Sequence, residues 1–155
     1  MLPRRHIATP RSAALALLAS LLIPLLLASC TGDSEVKVPE AKAGTVVKLD
    51  SQQGRALLKS GDHALLIDTR TVPEYIRGHL VGAQNVDMAN DDAWDFRVAE
   101  FDLGRPTVVY CRDDDCSREA ADRLVAAGLR HVYDLGNPDD WDHKYLPIEG
   151  RRSDD

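Results

Sequence analysis

The chain has 155 residues and a formal net charge of −6 at pH 7, with 25 acidic against 19 basic side chains. An acidic protein without a basic run is unsuited to bind nucleic acid or anionic lipid headgroups, so we exclude both as partners. Three cysteines are too few for a disulfide framework and no histidine spacing indicates a metal site, so we expect no metal and no other cofactor.

The first 29 residues have the composition of a secretory signal peptide. Three arginines precede an almost uncharged apolar run over residues 13–28, which is the pattern of an exported protein. A retained membrane helix is the alternative, but the run is short for one and contains Pro24. The sequence Leu27-Ala28-Ser29-Cys30 resembles the lipobox of bacterial lipoproteins, and this resemblance implies cleavage before Cys30 and acylation of its thiol.

Lipidation of Cys30 would decide where the protein lies. Several acyl chains anchor a protein stably to a membrane, here the cell membrane or the outer membrane, facing the periplasm or the exterior. Thr31 rather than an aspartate follows the anchor, and this difference favours the outer membrane in Gram-negative cells. A plain secretory signal with an incidental cysteine is the alternative. Residues 30–43 have little apolar content and predict a flexible tether.

From residue 44 to residue 150, short apolar runs alternate with helical patterns, which predicts one α/β domain followed by a disordered tail over 151–155. We expect a mostly parallel sheet with helices on both faces. Strands are predicted at 46–47, 64–67, 83–86, 108–110 and 132–135, and helices at 51–58, 73–77, 91–100, 117–127 and 138–143. In the helix over 91–100, Trp94, Phe96 and Val98 are expected to be partly buried.

Cys111 directly follows the predicted strand over 108–110. A polar loop separates it from the helix predicted over 117–127. The thiol is therefore expected at the carboxyl end of a strand and over the amino terminus of a helix, where open α/β sheets bind ligands. The free N–H groups and the dipole of such a helix stabilise a thiolate, so we interpret Cys111 as a candidate nucleophile.

Two ordered stretches resemble the signatures of rhodanese-like domains. The first is Leu66–Arg70 with the glutamate, histidine and glycines that follow it; the second is Val108–Arg112, followed by Val132–Gly136 and Trp141. The resemblance covers residues 44–150 and implies a single domain with a five-stranded, mostly parallel sheet. It also implies a sulfurtransferase, in which Cys111 takes a sulfane sulfur atom as a persulfide and passes it to an acceptor.

The residues after Cys111 form the expected active-site loop, whose amides would surround the persulfide. Ser117 is expected to cap the helix and donate toward the sulfur. The loop departs from the family pattern, because acidic residues stand where Ser, Gly and Arg are common. One carboxylate about 7 Å away costs an anion roughly 0.6 kcal/mol in water, so we expect weak activity with thiosulfate, a dianion. A solvated acidic turn is the alternative. The loop consists of Arg112, Asp113, Asp114, Asp115, Cys116 and Ser117.

Cys116 is a candidate resolving thiol. It could attack a persulfide or sulfenate on Cys111 and close a disulfide; otherwise it is a small residue at a helix start. Asp68 and Arg70 end a strand at the same sheet edge. We expect them to support the loop through an ion pair or hydrogen bonds.

These features predict a membrane-anchored, extracytoplasmic sulfur carrier with Cys111 as its persulfide nucleophile. The expected partner is a small sulfane-sulfur donor or a thiol acceptor protein, and the domain is expected to be a monomer. One alternative is a catalytically inactive rhodanese fold whose acidic loop binds a basic partner. Another is a thiol–disulfide redox protein that uses Cys111 and Cys116. A cysteine phosphatase is disfavoured, because its loop needs an arginine where Ser117 stands.

Overall fold

The computed structural model describes residues 36–150. The predicted signal peptide, Cys30 and the tail over 151–155 lie outside these residues. Within residues 36–150, no helix is long and apolar enough to cross a bilayer. The elements follow one another as β1 (Val46–Lys48), α1 (Ser51–Lys59), β2 (Leu65–Asp68), α2 (Val72–Arg77), β3 (His79–Leu80), β4 (Gln84–Asn85), α3 (Asp91–Val98), β5 (Thr107–Tyr110), α4 (Asp114–Ala126), β6 (Val132–Gly136), a 3-10 turn (Pro138–Asp140) and β7 (Ile148–Glu149).

A five-stranded parallel sheet forms the centre of the domain. Its strands lie in the order β1-β6-β5-β2-β4. Strands β2, β5 and β6 are buried along their whole length, as expected for parallel strands that are covered on both faces. The predicted fold class is therefore confirmed.

Successive residues of the central strands face two separate apolar layers. On one face, Leu66 and Val108 pack with Leu57 of α1 and with Trp141. On the other face, Ile67, Val109 and Val132 pack against α3 and α4. The helices on the second face contribute their apolar stripes, which are Trp94, Val98, Ala120, Ala121 and Leu124.

The sequence reasoning missed a small second sheet, in which β3 and β7 pair antiparallel. Each strand has only two residues, too few for a period-two pattern to be seen. This sheet contributes to the buried surroundings of Tyr110, the last residue of β5. The Tyr110 hydroxyl accepts a hydrogen bond of 3.0 Å from the N–H of Leu80 in β3.

The predicted start of α4 was wrong by three residues. The helix begins at Asp114 rather than Ser117, and the Asp113 carboxylate caps it by accepting the N–H of Cys116 at 2.7 Å. Aspartate is favoured at an N-cap and in the first helical turn, whereas the apolar stripe from which we placed the helix starts only further along. The expectation for Phe96 was also wrong, since it is 68% exposed; Trp94 and Val98 fill that layer instead.

The predicted tether over residues 30–43 also needs correction at its end. Ala41 is 1% exposed, and its N–H donates to the Tyr133 hydroxyl at 3.2 Å. Its carbonyl oxygen lies 2.9 Å from Nδ1 of His131, and Val38 packs against the same core. The packed domain therefore begins before residue 44, because a few small apolar residues in a polar stretch suffice to dock it.

Candidate active site

Cys111 directly follows the central strand of the sheet, at its carboxyl edge. From β2 the chain moves to β4 on one side, and from β5 it moves to β6 on the other. The direction of winding thus reverses between β2 and β5, and such a switch point is where open α/β sheets form ligand sites. The predicted site residues Asp68, Arg70 and Cys111 meet at this point.

An irregularity in β6 fixes the backbone of Cys111. Val109 pairs with Asp134 and Tyr110 pairs with Gly136, so Leu135 is an extra residue, as in a β-bulge. Gly136 has a φ of 78°, a conformation that glycine adopts without a steric penalty. Its carbonyl oxygen accepts the N–H of Cys111 at 3.2 Å. The bulge therefore presents an acceptor to the nucleophile's own peptide group.

Thr69 fixes the same strand end from the other side. Its N–H and its hydroxyl both donate to the carbonyl oxygen of Tyr110, at 3.0 and 2.9 Å. Thr69 is 2% exposed, so these bonds are shielded from water. The sequence reasoning missed this role, although Thr69 stands between the two residues singled out in the first signature.

Asp68 and Arg70 form an ion pair with a 2.6 Å contact between Oδ2 and Nη2. The Arg70 guanidinium also donates to the carbonyl of Gly78 at 2.7 Å and lies 5.4 Å from the centre of the Tyr110 ring. Burial lowers the pKa of Arg70, but the hydrogen bond and charge of Asp68, together with Tyr110, more than offset this, so the pKa of Arg70 is raised. The contacts of Arg70 connect the end of β2 to Tyr110, directly before the nucleophile.

A disulfide joins Cys111 to Cys116, with a Cα–Cα distance of 5.7 Å. This separation lies within the range that a disulfide spans. Cys116 is the third residue of α4, so the earlier start of the helix places it beside Cys111. Cys111 is 0% and Cys116 is 5% exposed. In this state the Cys111 sulfur is not a nucleophile, and reduction must precede any attack by it.

The three loop aspartates have different environments. Asp113 caps α4 and lies 3.4 Å from Nε of Arg112, and Asp114 pairs with Lys48 at 2.6 Å. Asp115 is exposed and has no ion-pair partner among residues 36–150. Two of the three negative charges are therefore partly compensated, which the sequence reasoning did not foresee.

Lys48 connects the start of α4 to the sheet edge. Besides Asp114, its Nζ contacts Oδ2 of the buried Asp134 at 3.3 Å. The hydrogen bond and the charge of Lys48 hold the pKa of Asp114 below its usual value. Lys48 and Asp134 pair in register on β1 and β6. The sequence shows that Lys48 follows one predicted strand and that Asp134 lies within another, but not that these strands are neighbours.

The structure narrows the set of amides that could surround a sulfur atom. The N–H of Cys116 is bonded to the Asp113 carboxylate, and that of Ser117 to the Asp113 carbonyl. The Ser117 hydroxyl donates to the carbonyl of Asp114 at 3.1 Å rather than toward the cysteine. The N–H groups of residues 112–115 are thus the remaining candidates. No group of three or more His, Cys, Asp or Glu in residues 36–150 could hold a metal ion.

The family model of the rhodanese-like domain matches residues 50–141. The chain belongs to this family. It is 35% identical over 92 residues to the thiosulfate sulfurtransferase GlpE of Pseudomonas fluorescens, an alignment that covers 57% of this chain and 76% of that relative. The corresponding GlpE of Pseudomonas entomophila is 34% identical over 88 residues, covering 57% of this chain and 76% of the relative.

Solved structures of rhodanese-like domains share the architecture. The domain from the Anabaena protein Alr3790 superposes with a TM-score of 0.60 at 26% identity, covering 70% of this chain and 83% of that one. A rhodanese-like protein from Staphylococcus aureus gives a TM-score of 0.55 at 19% identity, over 64% of this chain and 95% of that one. The second similarity concerns the fold alone.

Replacing Lys48 with methionine should raise the pKa of Asp114, because the hydrogen bond and charge that lower it are removed. A carboxyl group whose pKa is lower in the folded than in the unfolded protein stabilises the fold at any pH above its unfolded pKa of about 3.9. This stabilisation is lost as the pH falls through the pKa of the folded state. Wild-type stability should therefore fall more steeply than that of Lys48→Met below about pH 4. For so exposed a pair the difference should be at most about 1 kcal/mol.

Carboxyl NMR titration and urea unfolding across this pH range measure both effects. Lys59→Met, which removes an exposed lysine from the end of α1, is the matched control. Identical titration of Asp114 in the wild type and in Lys48→Met would contradict the assigned cause.

Proposed function

We propose that this protein is a sulfurtransferase that carries sulfane sulfur as a persulfide on Cys111. The position of Cys111 is the observation that carries the proposal. It follows the central strand at the switch point of a rhodanese-like domain, next to the amino terminus of α4. Relatives that match this chain are named thiosulfate sulfurtransferases, which supports the same chemistry here.

The proposed transfer has two steps after the disulfide has been reduced. The Cys111 thiolate attacks the sulfane sulfur of a donor, and the donor's leaving group departs with the electron pair of the broken bond. The N–H groups of residues 112–115 donate toward the terminal sulfur and balance its charge. An acceptor thiolate then attacks that terminal sulfur, and the Cys111 thiolate leaves in its original state.

The charge around the loop favours some donors over others. Lys48 and Arg112 partly compensate two carboxylates, while Asp115, in the first turn of α4, has no ion-pair partner among residues 36–150. A carboxylate repels a dianion about twice as strongly as a monoanion at equal distance. We therefore propose weak activity with thiosulfate and better activity with donors of lower charge.

Sulfur loading provides the test of the proposed reaction. Reduced Cys116→Ser protein, which lacks the second thiol of the loop, should gain the mass of one sulfur atom on Cys111 when it is treated with a sulfane-sulfur donor. Cys111→Ser should gain none, because no thiolate remains at the end of β5. Intact-mass spectrometry with peptide mapping measures both outcomes. A correctly folded Cys116→Ser domain that never gains sulfur from thiosulfate, polysulfide or persulfidated glutathione would favour a binding module over an enzyme.

Replacing Asp115 with asparagine should raise kcat/KM for thiosulfate by roughly threefold to tenfold, because one uncompensated charge near the dianion is removed. The change should be smaller with an uncharged organic trisulfide as donor. Asp92→Asn, which neutralises an exposed carboxylate in the first turn of α3, is the control. Equal changes for both donors would show that charge repulsion is not the cause.

We further propose that the domain is held outside the cytoplasm by a lipid anchor on Cys30. The apolar run over residues 13–28 and the resemblance of residues 27–30 to a lipobox support this location. The partner would then be a sulfane-sulfur donor or a thiol acceptor protein on the same side of the membrane. The domain is proposed to act as a monomer.

Cys30→Ala should release the protein from the membrane fraction of an expressing bacterium, since the thiol that receives the acyl chains is lost. Cys116→Ala keeps Cys30 and should stay with the membranes. Fractionation followed by immunoblotting measures the distribution. Membrane attachment of Cys30→Ala equal to that of the wild type would refute the anchor.

A further inference from the structure

The bond between Cys111 and Cys116 shows that the two sulfur atoms can reach one another within this fold. Both backbones are held in place. Cys111 donates to Gly136, and the N–H of Cys116 is bonded to the Asp113 carboxylate at 2.7 Å. After reduction, Cys116 is therefore a second thiol positioned beside any persulfide formed on Cys111.

We infer that the protein discharges its own persulfide reductively and releases hydrogen sulfide. This inference rests on the proposed persulfide chemistry of Cys111 and adds a further activity to it. The protein would act as a sulfane-sulfur reductase, in which Cys116 supplies the second thiol. The chemical class of its substrate is a sulfane-sulfur donor, and the product is sulfide.

The discharge step is balanced in atoms and electrons. The Cys116 sulfur attacks the inner sulfur of the Cys111 persulfide and forms the Cys111–Cys116 bond. The bond between the inner and outer sulfur breaks, and the outer sulfur leaves as hydrosulfide with the electron pair and the thiol proton of Cys116. The two cysteines lose two electrons together, and the sulfane sulfur gains them.

The contacts favour attack at the inner sulfur by Cys116 over attack by an external thiol. Attack there yields the same disulfide that the structure contains. In the oxidised state Cys111 has no exposed surface, whereas Cys116 is already in place beside it. Reactants held in the correct geometry have effective concentrations far above those of thiols in solution.

The disulfide must be reduced before another cycle can begin. We assign this role to an external dithiol, either a protein dithiol or a small one. It enters at Cys116, the more exposed of the two residues, and forms a mixed disulfide there. The Cys111 thiolate is the leaving group, stabilised next to the amino terminus of α4. The second thiol of the reductant then frees Cys116 and closes the reductant's own disulfide.

A single-turnover experiment tests this inference. Reduced protein is freed of reductant under anaerobic conditions and mixed with excess thiosulfate, which supplies sulfane sulfur and leaves as sulfite. Wild-type protein should release one sulfite and one sulfide per chain, lose both thiols of Cys111 and Cys116, and keep no added sulfur. Cys116→Ser should release sulfite, retain the added sulfur on Cys111 and release no sulfide. Cys111→Ser should release neither sulfite nor sulfide and should gain no sulfur.

The possible outcomes separate the inference from the proposed function. A wild-type protein that keeps the added sulfur as stably as Cys116→Ser would overturn reductive discharge and leave the transfer function intact. If Cys116→Ser gains no sulfur from thiosulfate, polysulfide or persulfidated glutathione, the transfer function would be overturned as well. Oxidation of the two thiols by an added disulfide, together with no release of sulfide when the sulfane-sulfur donor is present, would assign the cysteine pair to thiol–disulfide exchange alone.

Discussion

The site depends on how the end of the central strand is held. The last peptide groups of β5 are bonded on both sides, to Thr69 after β2 and to Gly136 at the bulge of β6. Because these bonds are buried, breaking one would leave a polar group without water to replace its partner. Cys111 is thus fixed by contacts from its two neighbouring strands.

The acidic residues of the loop have opposite effects on the helix and on the nucleophile. An aspartate at the N-cap and two in the first turn stabilise α4 through its free N–H groups and its dipole. The same charges disfavour an anion on Cys111. Lys48 pairs with Asp114 and Arg112 pairs with Asp113. These pairs weaken the repulsion between the carboxylates and a thiolate on Cys111, while the acidic residues still stabilise the start of α4.

The parallel sheet and the position of Cys111 could be predicted from sequence because they depend on local patterns, namely β-branched runs, turn residues and helical periodicity. The start of α4 could not, since its first turn precedes the apolar stripe of Ala120, Ala121 and Leu124. The bonds of Thr69 and the bridge from Lys48 to Asp134 also escaped prediction. These contacts depend on which strands are neighbours in the sheet, and the order of strands cannot be read from residues that are far apart in the sequence.

The proposed location and the proposed discharge reaction constrain one another. Thiols outside the cytoplasm tend toward disulfides, so an exported domain with adjacent cysteines would rest in the oxidised state found here. A persulfide carrier in that state is inactive until a dithiol reaches it. Supply of reductant would therefore control the reaction. Both cysteines are buried, Cys111 at 0% and Cys116 at 5% exposed, and the reductant is proposed to attack Cys116, the less buried of the two.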